Sequence, residues 1–281
     1  MFKLTVLGNN GPYPAKGGAC SGYLLQYDET KILLDLGSGS LANLISVLSS
    51  DLDNIDAIIL SHLHSDHISD VSVLRYAYLK AGAPAGEGEP SSIPLYCPAA
   101  PQLEFDTLRS YAQFSVHPIT ENLVIKINGL TISFLPTIHP YPVYAVSVVT
   151  DKYDKDVAYE PQPTALPAAG FEFYQKFVYT GDTSWNQELI PFCEGANLLL
   201  ADSNLISQDR LAGKPLFHLT AEECGIIAAE AGVTRLLLTH FTPGADIGRR
   251  VAEARAGAQK VLGRSDSLLV EDAKILTTYE I

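Results

Sequence analysis

Apolar and polar residues alternate in short stretches along most of the chain, and a period of two residues predicts β-strands. Strands are predicted over 2–8, 22–28, 31–36, 57–60, 93–97, 123–127, 130–135, 143–150, 174–180, 197–201 and 235–239, with a final hairpin over 267–280. Helical spacing of apolar residues predicts helices over 41–48, from Val71 to Leu79, over 221–231 and over 245–261. This interleaving predicts an α/β fold in which two sheets lie between helices.

Two polar segments interrupt this pattern. Residues 81–94 are dense in Gly, Pro and Ser, and residues 151–170 are polar and rich in Pro. Such stretches predict loops. We therefore predict a single domain over residues 1–281 with loop insertions near 81–94 and 151–170.

The charge of the chain disfavours an extended nucleic acid as its main ligand. Its 19 Lys and Arg residues are outnumbered by 32 Asp and Glu residues, which gives a net charge of −13. Arg249–Arg250 is the only adjacent basic pair, whereas a protein that binds a nucleic-acid backbone needs clustered basic residues. If the substrate is anionic, bound metal ions are expected to attract it.

The sequence carries no signal for export or membrane insertion. No stretch approaches the roughly 18 consecutive apolar residues of a membrane helix, and residues 1–14 lack the apolar region of a signal peptide. The four cysteines form no CxxC pair, which disfavours a zinc knuckle or a disulfide framework. We expect a cytoplasmic protein without membrane contact.

Three of the seven histidines fall in one short motif, SHLHSDH, directly after the apolar strand 57–60. In extended backbone, residues two apart point the same way, so His62 and His64 are expected to converge on one metal ion. A turn would then direct Asp66 and His67 towards a second ion. The alternative is a solvated loop whose histidines bind nothing.

Three further side chains of ligand type follow predicted strands: His139, Asp182 and His240. In α/β folds, sites lie at the ends of strands. Each residue alone is compatible with an ordinary loop, and Asp182 with a turn cap, but together with SHLHSDH they predict a metal centre. Imidazole and carboxylate ligands without a thiolate suit Zn, Mn and Fe.

SHLHSDH, His139, the GDT around Asp182 and the TH of residues 239–240 together resemble the metallo-β-lactamase fold, an αβ/βα four-layer sandwich with a dinuclear site between its sheets. The resemblance covers nearly the whole chain and implies two divalent metal ions, with Zn favoured over Mn and Fe. It assigns His62, His64 and His139 to one ion, Asp66, His67 and His240 to the other, and Asp182 to a bridge. An aspartate at this last position, where true lactamases carry a cysteine, argues against antibiotic hydrolysis.

The segment FHLTAEECGIIAAEAGVTRLLLTHF (217–241) resembles the ribonuclease Z-like phosphodiesterases, in their short form. This resemblance implies a catalytic role for His218, whose alternative role is packing beside Leu219 near a helix start. Asp66 is the candidate base, because a ligating carboxylate can also accept a hydrogen bond from a metal-bridging hydroxide. Homodimerisation is implied by the resemblance alone.

Two departures bear on the substrate. Where ribonuclease Z carries an acid–glycine pair, this chain has Gly37-Ser38-Gly39-Ser40, and a long basic arm for tRNA is absent. Together with the negative charge, these departures favour a dinuclear metal-dependent hydrolase that cleaves small phosphodiesters or cyclic nucleotides through a metal-bridging hydroxide. The alternatives are a tRNA 3′-processing endoribonuclease, a thioester or lactone hydrolase of the same fold, and a non-catalytic metal-holding sensor or pathway accessory protein.

Three residues near these motifs have open roles, and a fourth, His117, has none. Asp35, at the end of KILLD, is expected either to orient a ligand histidine or to cap a turn. Tyr141 and Tyr144 follow His139 closely and are candidates for stacking on a base or for packing. His117 is predicted to lie in a loop without a role.

Overall fold

A computed structural model describes residues 1–48, 51–80, 92–150, 175–211, 216–263 and 268–281. Its strands are β1 (Phe2–Gly8), β2 (Gly22–Tyr27), β3 (Thr30–Leu36), β4 (Ala57–Ile59), β5 (Ile93–Cys97), β6 (Phe114–Pro118), β7 (Val124–Ile127), β8 (Leu130–Pro136), β9 (Tyr144–Thr150), β10 (Lys176–Tyr179), β11 (Leu198–Asp202), β12 (Arg235–Thr239), β13 (Leu269–Asp272) and β14 (Thr278–Glu280). Its helices are α1 (Ser40–Leu48), α2 (Ser65–Ile68), α3 (Val71–Lys80), α4 (Gln102–Arg109), α5 (Leu189–Cys193), α6 (Ser207–Leu211), α7 (Ala221–Glu230) and α8 (Ile247–Leu262), with a 3-10 turn over Asp51–Asn54.

Within these described residues the strands form two sheets of seven, in the orders β14-β1-β2-β3-β4-β5-β6 and β13-β12-β11-β10-β9-β8-β7. Each sheet is antiparallel over one half and parallel over the other. The parallel neighbours run from β3 to β6 in the first sheet and from β10 to β13 in the second. Parallel strands place their carboxyl ends at one edge, so residues that follow them can meet there.

The two sheets pack face to face, and helices cover their outer faces. Along β3, Ile32 and Leu34 point into a core shared by both sheets, whereas Leu33 and Leu36 point to α1 and α3. Strands buried on both faces are apolar at nearly every position, as KILLDL is. On the other side, α7 and α8 pack against the second sheet. The predicted four-layer αβ/βα sandwich is confirmed.

The predicted hairpin over 267–280 is wrong. β13 pairs in parallel with β12 in the second sheet, whereas β14 pairs antiparallel with β1 in the first. The chain crosses between the sheets over residues 273–277, where Leu276 and Thr277 exchange backbone hydrogen bonds with Val6. An alternating pattern predicts a strand but does not identify the partner with which it pairs.

The region between β5 and β7 also differs from the prediction. It contains α4 and β6, which were not predicted, and His117 lies in β6 instead of a loop. The edge strand β6 is half-exposed and polar at Ser115 and His117, so its sequence lacks a strong strand pattern. His117 is exposed and its ring stacks on Tyr96.

The insertion near 151–170 and most of the one near 81–94 lie outside the described residues, and β5 already begins at Ile93. The single domain over 1–281 stays a prediction, as does homodimerisation. In the described part of the chain, no helix combines the length and apolarity needed to cross a membrane.

Candidate metal centre

The motif SHLHSDH leaves the carboxyl end of β4 and enters the short helix α2. His62 is fully buried, and its Nε2 atom lies 2.9 Å from Nδ1 of His64. Asp66 and His67 occupy the first turn of α2, which is the turn that the sequence predicted to redirect them. Both are buried, so the motif is part of the interior and not a solvated loop.

The second sheet brings the other three predicted ligands to the same place. Nε2 of His139 lies 3.3 Å from Nδ1 of His64, and Nε2 of His240 lies 3.2 Å from Oδ2 of Asp66. Asp182 lies between the two groups, with Oδ2 3.8 Å from Nε2 of His62 and 3.3 Å from Nε2 of His240. The structure thus gathers all seven predicted ligands into one cluster.

Ligand atoms within this cluster fall into overlapping groups that are tight enough to hold metal ions. In each group the ligand atoms lie within 4.8 Å of one another: His62, His64, His139 and Asp182 in one, Asp66, His67 and His240 in a second, and Asp182, Asp202, His218 and His240 in a third. The first two match the division implied by the resemblance. The third adds Asp202, which the sequence analysis did not select.

The donor set itself fits divalent cations. Oδ1 of Asp182 is buried without a hydrogen-bond partner among the described residues, although Nε2 of His67 is 3.4 Å away. A buried carboxylate oxygen without a partner needs an explanation, and a cation surrounded by imidazole nitrogens supplies one. Nitrogen and carboxylate oxygen donors suit Zn, Mn and Fe.

The electrostatics of the cluster agree with this fit. Burial lowers the pKa of His62 well below its usual value and that of His64 to about 4, so both are neutral, the form that binds metal. Burial raises the pKa of Asp182, but the nearby His240 and His67 outweigh it and hold that pKa well below its usual range. The pKa of His67 is about 10, because Asp182 and Asp35 overcome the effect of burial. Bound metal ions would supply the positive charge that the protonated His67 otherwise brings to these carboxylates.

Asp35 orients His67. Its Oδ2 atom accepts hydrogen bonds from Nδ1 of His67, from the Ser61 hydroxyl and from the Tyr179 hydroxyl, each at 2.8 Å. Its Oδ1 atom accepts a hydrogen bond from the Ser61 backbone amide at 2.7 Å. These contacts leave Nε2 of His67 facing the cluster, so the first of the two roles expected for Asp35 is the one that its contacts support.

His218 borders the cluster from the segment before α7. Its Nδ1 atom lies 2.8 Å from Oδ2 of Asp202, and its ring is 5.2 Å from that of His240 and 5.4 Å from that of His139. Burial lowers the pKa of His218, but the Asp202 carboxylate outweighs this effect and raises it. With Nδ1 engaged, Nε2 is the nitrogen left for a substrate.

Sequence reasoning missed two residues of this site. Asp202 ends the apolar strand LLLAD just as Asp182 and His240 follow theirs, so the signal was present. Gly11 lies against His240, where a β-carbon would stand only 1.9 Å from Nε2, so only glycine fits. This second contact joins residues far apart in sequence, and no local pattern predicts it.

The two candidate tyrosines differ. Tyr141 is 38% exposed and its ring lies 4.2 Å from that of His64, edge-on. Tyr144 packs against the core between the sheets, next to Phe134. The contacts of Tyr144 therefore support packing, whereas Tyr141 is exposed beside His64.

Comparison with known proteins identifies the family. A family model described as "Beta-lactamase superfamily domain" matches residues 30–241. "Probable metallo-hydrolase YhfI" of Bacillus subtilis (strain 168) is 32% identical over 240 residues, which cover 85% of this chain and 87% of that protein. "Ribonuclease Z" of Ignicoccus hospitalis is 26% identical over 286 residues, which cover 90% of this chain and 92% of that protein.

Solved structures agree with the sequence relatives. The crystal structure of YhfI matches with a TM-score of 0.78 at 31% identity, over 99% of this chain and 98% of that chain. The crystal structure of the short form of human tRNase Z matches with a TM-score of 0.70 over 99% of both chains. At 18% identity, this second likeness shows the fold alone. The chain therefore belongs to the beta-lactamase superfamily and has the metallo-β-lactamase fold, as SHLHSDH and the residues His139, Asp182 and His240 predicted.

Proposed function

We propose that the protein is a dinuclear metal-dependent hydrolase that cleaves small phosphodiesters, cyclic nucleotides among them. The observation that carries this proposal is the pair formed by His218 and Asp202 beside the cluster, with Nδ1 and Oδ2 2.8 Å apart. An imidazole held in this way adds a proton donor to a metal centre. Such a donor is useful where an oxyanion leaves or where negative charge grows on phosphoryl oxygens.

The seven residues of the cluster are the proposed metal ligands. His62, His64 and His139 would hold one ion, Asp66, His67 and His240 would hold the other, and Asp182 would contact both. When bound, such ions acidify a water molecule and neutralise charge on the phosphoryl group. Relatives named as a metallo-hydrolase and a ribonuclease Z support this assignment.

Two side chains would handle protons in the reaction. Burial raises the pKa of Asp66, but the hydrogen bond from His240 outweighs it and lowers the pKa, so the carboxylate is ionised and can accept a hydrogen bond from the attacking water. The Asp202 carboxylate favours the protonated form of His218, whose Nε2 can donate to a phosphoryl or leaving oxygen. General acid and base groups of this kind typically contribute about 10²–10⁴-fold to a rate.

Processing of tRNA is the second candidate, because several relatives at 26–27% identity are named ribonuclease Z. Two features favour a smaller substrate. The net charge is −13, and the only adjacent basic pair is Arg249–Arg250. In α8, Arg249 is paired with Glu253 and Arg250 hydrogen-bonds to the backbone of Ser203 and Asn204, so this pair does not form a free phosphate-binding patch.

A panel of three substrates tests the proposal. Protein loaded with Zn²⁺ or Mn²⁺ is assayed against bis(p-nitrophenyl) phosphate, an acyl thioester and a precursor tRNA. We expect kcat/KM for the phosphodiester to exceed that for the thioester at least about tenfold, a barrier difference near 1.4 kcal/mol. Precursor tRNA is expected to bind weakly and to remain uncut.

The alternatives have distinct signatures in the same panel. A faster thioester reaction would indicate an acyl hydrolase. Cleavage of the tRNA, with binding that weakens steeply as salt is added, would indicate RNA processing. Metal-loaded protein without turnover on any of the three would indicate a metal-holding sensor or accessory protein.

A further inference from the structure

Two aromatic side chains stand exposed beside the outer histidines of the candidate metal centre. Tyr141 is 38% exposed and its ring lies 4.2 Å from His64, at an interplanar angle of 66°. Phe217 is 43% exposed and its ring lies 6.1 Å from His139, at 75°. Among the described residues, neither ring is part of a hydrophobic core of the sandwich. Core packing therefore does not explain why aromatic residues occupy these two positions.

Both rings sit on backbone that is fixed to the site. The Phe217 carbonyl accepts a hydrogen bond from Nδ1 of His139 at 3.0 Å, so the backbone that carries this ring is held by a proposed ligand. The segment that carries Tyr141 is fastened at Ile138, whose amide donates to the Thr183 hydroxyl at 3.2 Å and whose carbonyl accepts from Ser184 at 2.9 Å. Aromatic rings on a fixed backbone, with only two rotatable side-chain bonds each, can bind a flat group without a large loss of conformational entropy.

The charges around these rings do not match a polyanion. Among the described residues, Arg210 is the only basic residue whose side chain hydrogen-bonds to the segment that carries Phe217, with Nη2 3.5 Å from the His218 carbonyl. Its charge is already paired with Glu223 at 2.7 Å. A neutral, flat, apolar group is the complement of such a surface.

We propose that Tyr141 and Phe217 form a subsite for the nucleobase of a nucleoside phosphodiester, with its phosphate at the metal cluster. This inference rests on the proposed phosphodiesterase function and narrows its substrate class from phosphodiesters in general to those that carry a base. Every nucleobase has a π-face, so stacking binds bases with little sequence preference. The subsite therefore selects nucleosides over simple alkyl esters, and not one base over another.

The experiment compares two esters with the same leaving group: thymidine 5′-(p-nitrophenyl phosphate) and methyl p-nitrophenyl phosphate. The measured quantity is the ratio of their kcat/KM values in metal-loaded protein. We expect Tyr141→Ala and Phe217→Ala each to lower this ratio at least about fivefold, chiefly through a higher KM for the thymidine ester. Because no hydrogen bond of the Tyr141 hydroxyl is found among the described residues, Tyr141→Phe should keep the wild-type ratio.

A matched control is Tyr76→Ala, which removes a tyrosine that is 58% exposed on α3 and contacts Arg75. It should leave the ratio at the wild-type value. If Tyr141→Ala and Phe217→Ala also keep the wild-type ratio, the subsite is refuted while the phosphodiesterase function stands.

Failure of the proposed phosphodiesterase function gives a different result from failure of the subsite. If metal-loaded wild-type protein cleaves neither ester, the proposed function is wrong, and binding of thymidine monophosphate is then measured by equilibrium dialysis. Weaker binding by Tyr141→Ala than by Tyr76→Ala would still support a nucleotide subsite. Equal binding by these two variants would overturn it.

Discussion

His218 reaches the metal cluster from the segment before α7, and one hydrogen bond to Asp202 determines which of its nitrogens faces the site. Oδ1 of that carboxylate lies 3.5 Å from Nδ1 of His240, so Asp202 contacts both a proposed ligand and the proposed proton donor. His218 is 24% exposed at its side chain, whereas His240 is almost fully buried. A substrate can therefore approach His218 from solvent.

Replacement of His218 separates catalysis from metal binding. We expect His218→Ala to retain its metal and to lower kcat for bis(p-nitrophenyl) phosphate at least about a hundredfold, because a proton donor is lost while the seven proposed ligands remain. Metal content is measured by elemental analysis and kcat by release of p-nitrophenol. His117→Ala, which removes an exposed histidine on β6, is the control and should behave as wild type. Turnover near the wild-type rate in His218→Ala would remove this residue from the mechanism.

For individual residues, the sequence predicts membership of the site when the side chain directly follows a strand. His139, Asp182 and His240 each follow a predicted strand, and all three lie in the cluster. Gly11 could not be predicted, because its role is to leave room for a ring that arrives from β12. Contacts of this kind depend on how the two sheets pack, which no short pattern specifies.

The helix α7 begins three residues after His218 and fixes the backbone on which that histidine lies. Its N-cap is Thr220, whose hydroxyl accepts a hydrogen bond from the Glu223 amide at 3.2 Å, while the Glu223 carboxylate accepts one from the Thr220 amide at 2.9 Å. The same carboxylate is paired with Arg210. These two hydrogen bonds form a capping box, and the ion pair with Arg210 also joins α6 to α7.

Loss of this cap should weaken the fold. We expect Thr220→Ala to lower the free energy of unfolding by about 1 kcal/mol, because the Glu223 amide loses its acceptor. Thr220→Ser keeps a hydroxyl at this position and is the matched control. Urea unfolding of metal-free protein measures both variants. Equal stability of Thr220→Ala and wild type would show that the cap contributes nothing measurable.

Elements are predictable from sequence where their pattern is strong and local. The apolar strands and α7 have such patterns, and the structure contains them. The pairing of β13 and β14 in different sheets was not predictable. Alternation of apolar and polar residues indicates that one face of a strand is buried, but it does not determine which strand lies beside it. The edge strand β6 was also not predictable, because its polar residues leave no clear alternating pattern.

In the whole molecule, residues that follow strands of both sheets meet at one site. The first sheet supplies the motif of His62, His64, Asp66 and His67, and the second supplies His139, Asp182 and His240. Neither half alone carries the complete proposed ligand set. Divalent ions bound between the sheets would therefore couple metal binding to folding, and they would give a chain of net charge −13 a local positive charge for an anionic substrate.

We propose above all that this cluster hydrolyses phosphodiesters by means of bound metal ions. The most direct measurement is a titration of chelator-treated protein with Zn²⁺ or Mn²⁺, in which bound ions per chain and hydrolysis of bis(p-nitrophenyl) phosphate are followed together. The comparison is between wild type, Asp182→Ala and the control Asp106→Ala, which changes an exposed aspartate on α4.

We predict that hydrolysis by wild type and Asp106→Ala rises with bound metal and levels off at about two ions per chain. Asp182→Ala should lose metal and activity together, because its carboxylate is proposed to contact both ions. Full metal occupancy with wild-type turnover in Asp182→Ala, or undiminished hydrolysis by the metal-free protein, would contradict the account.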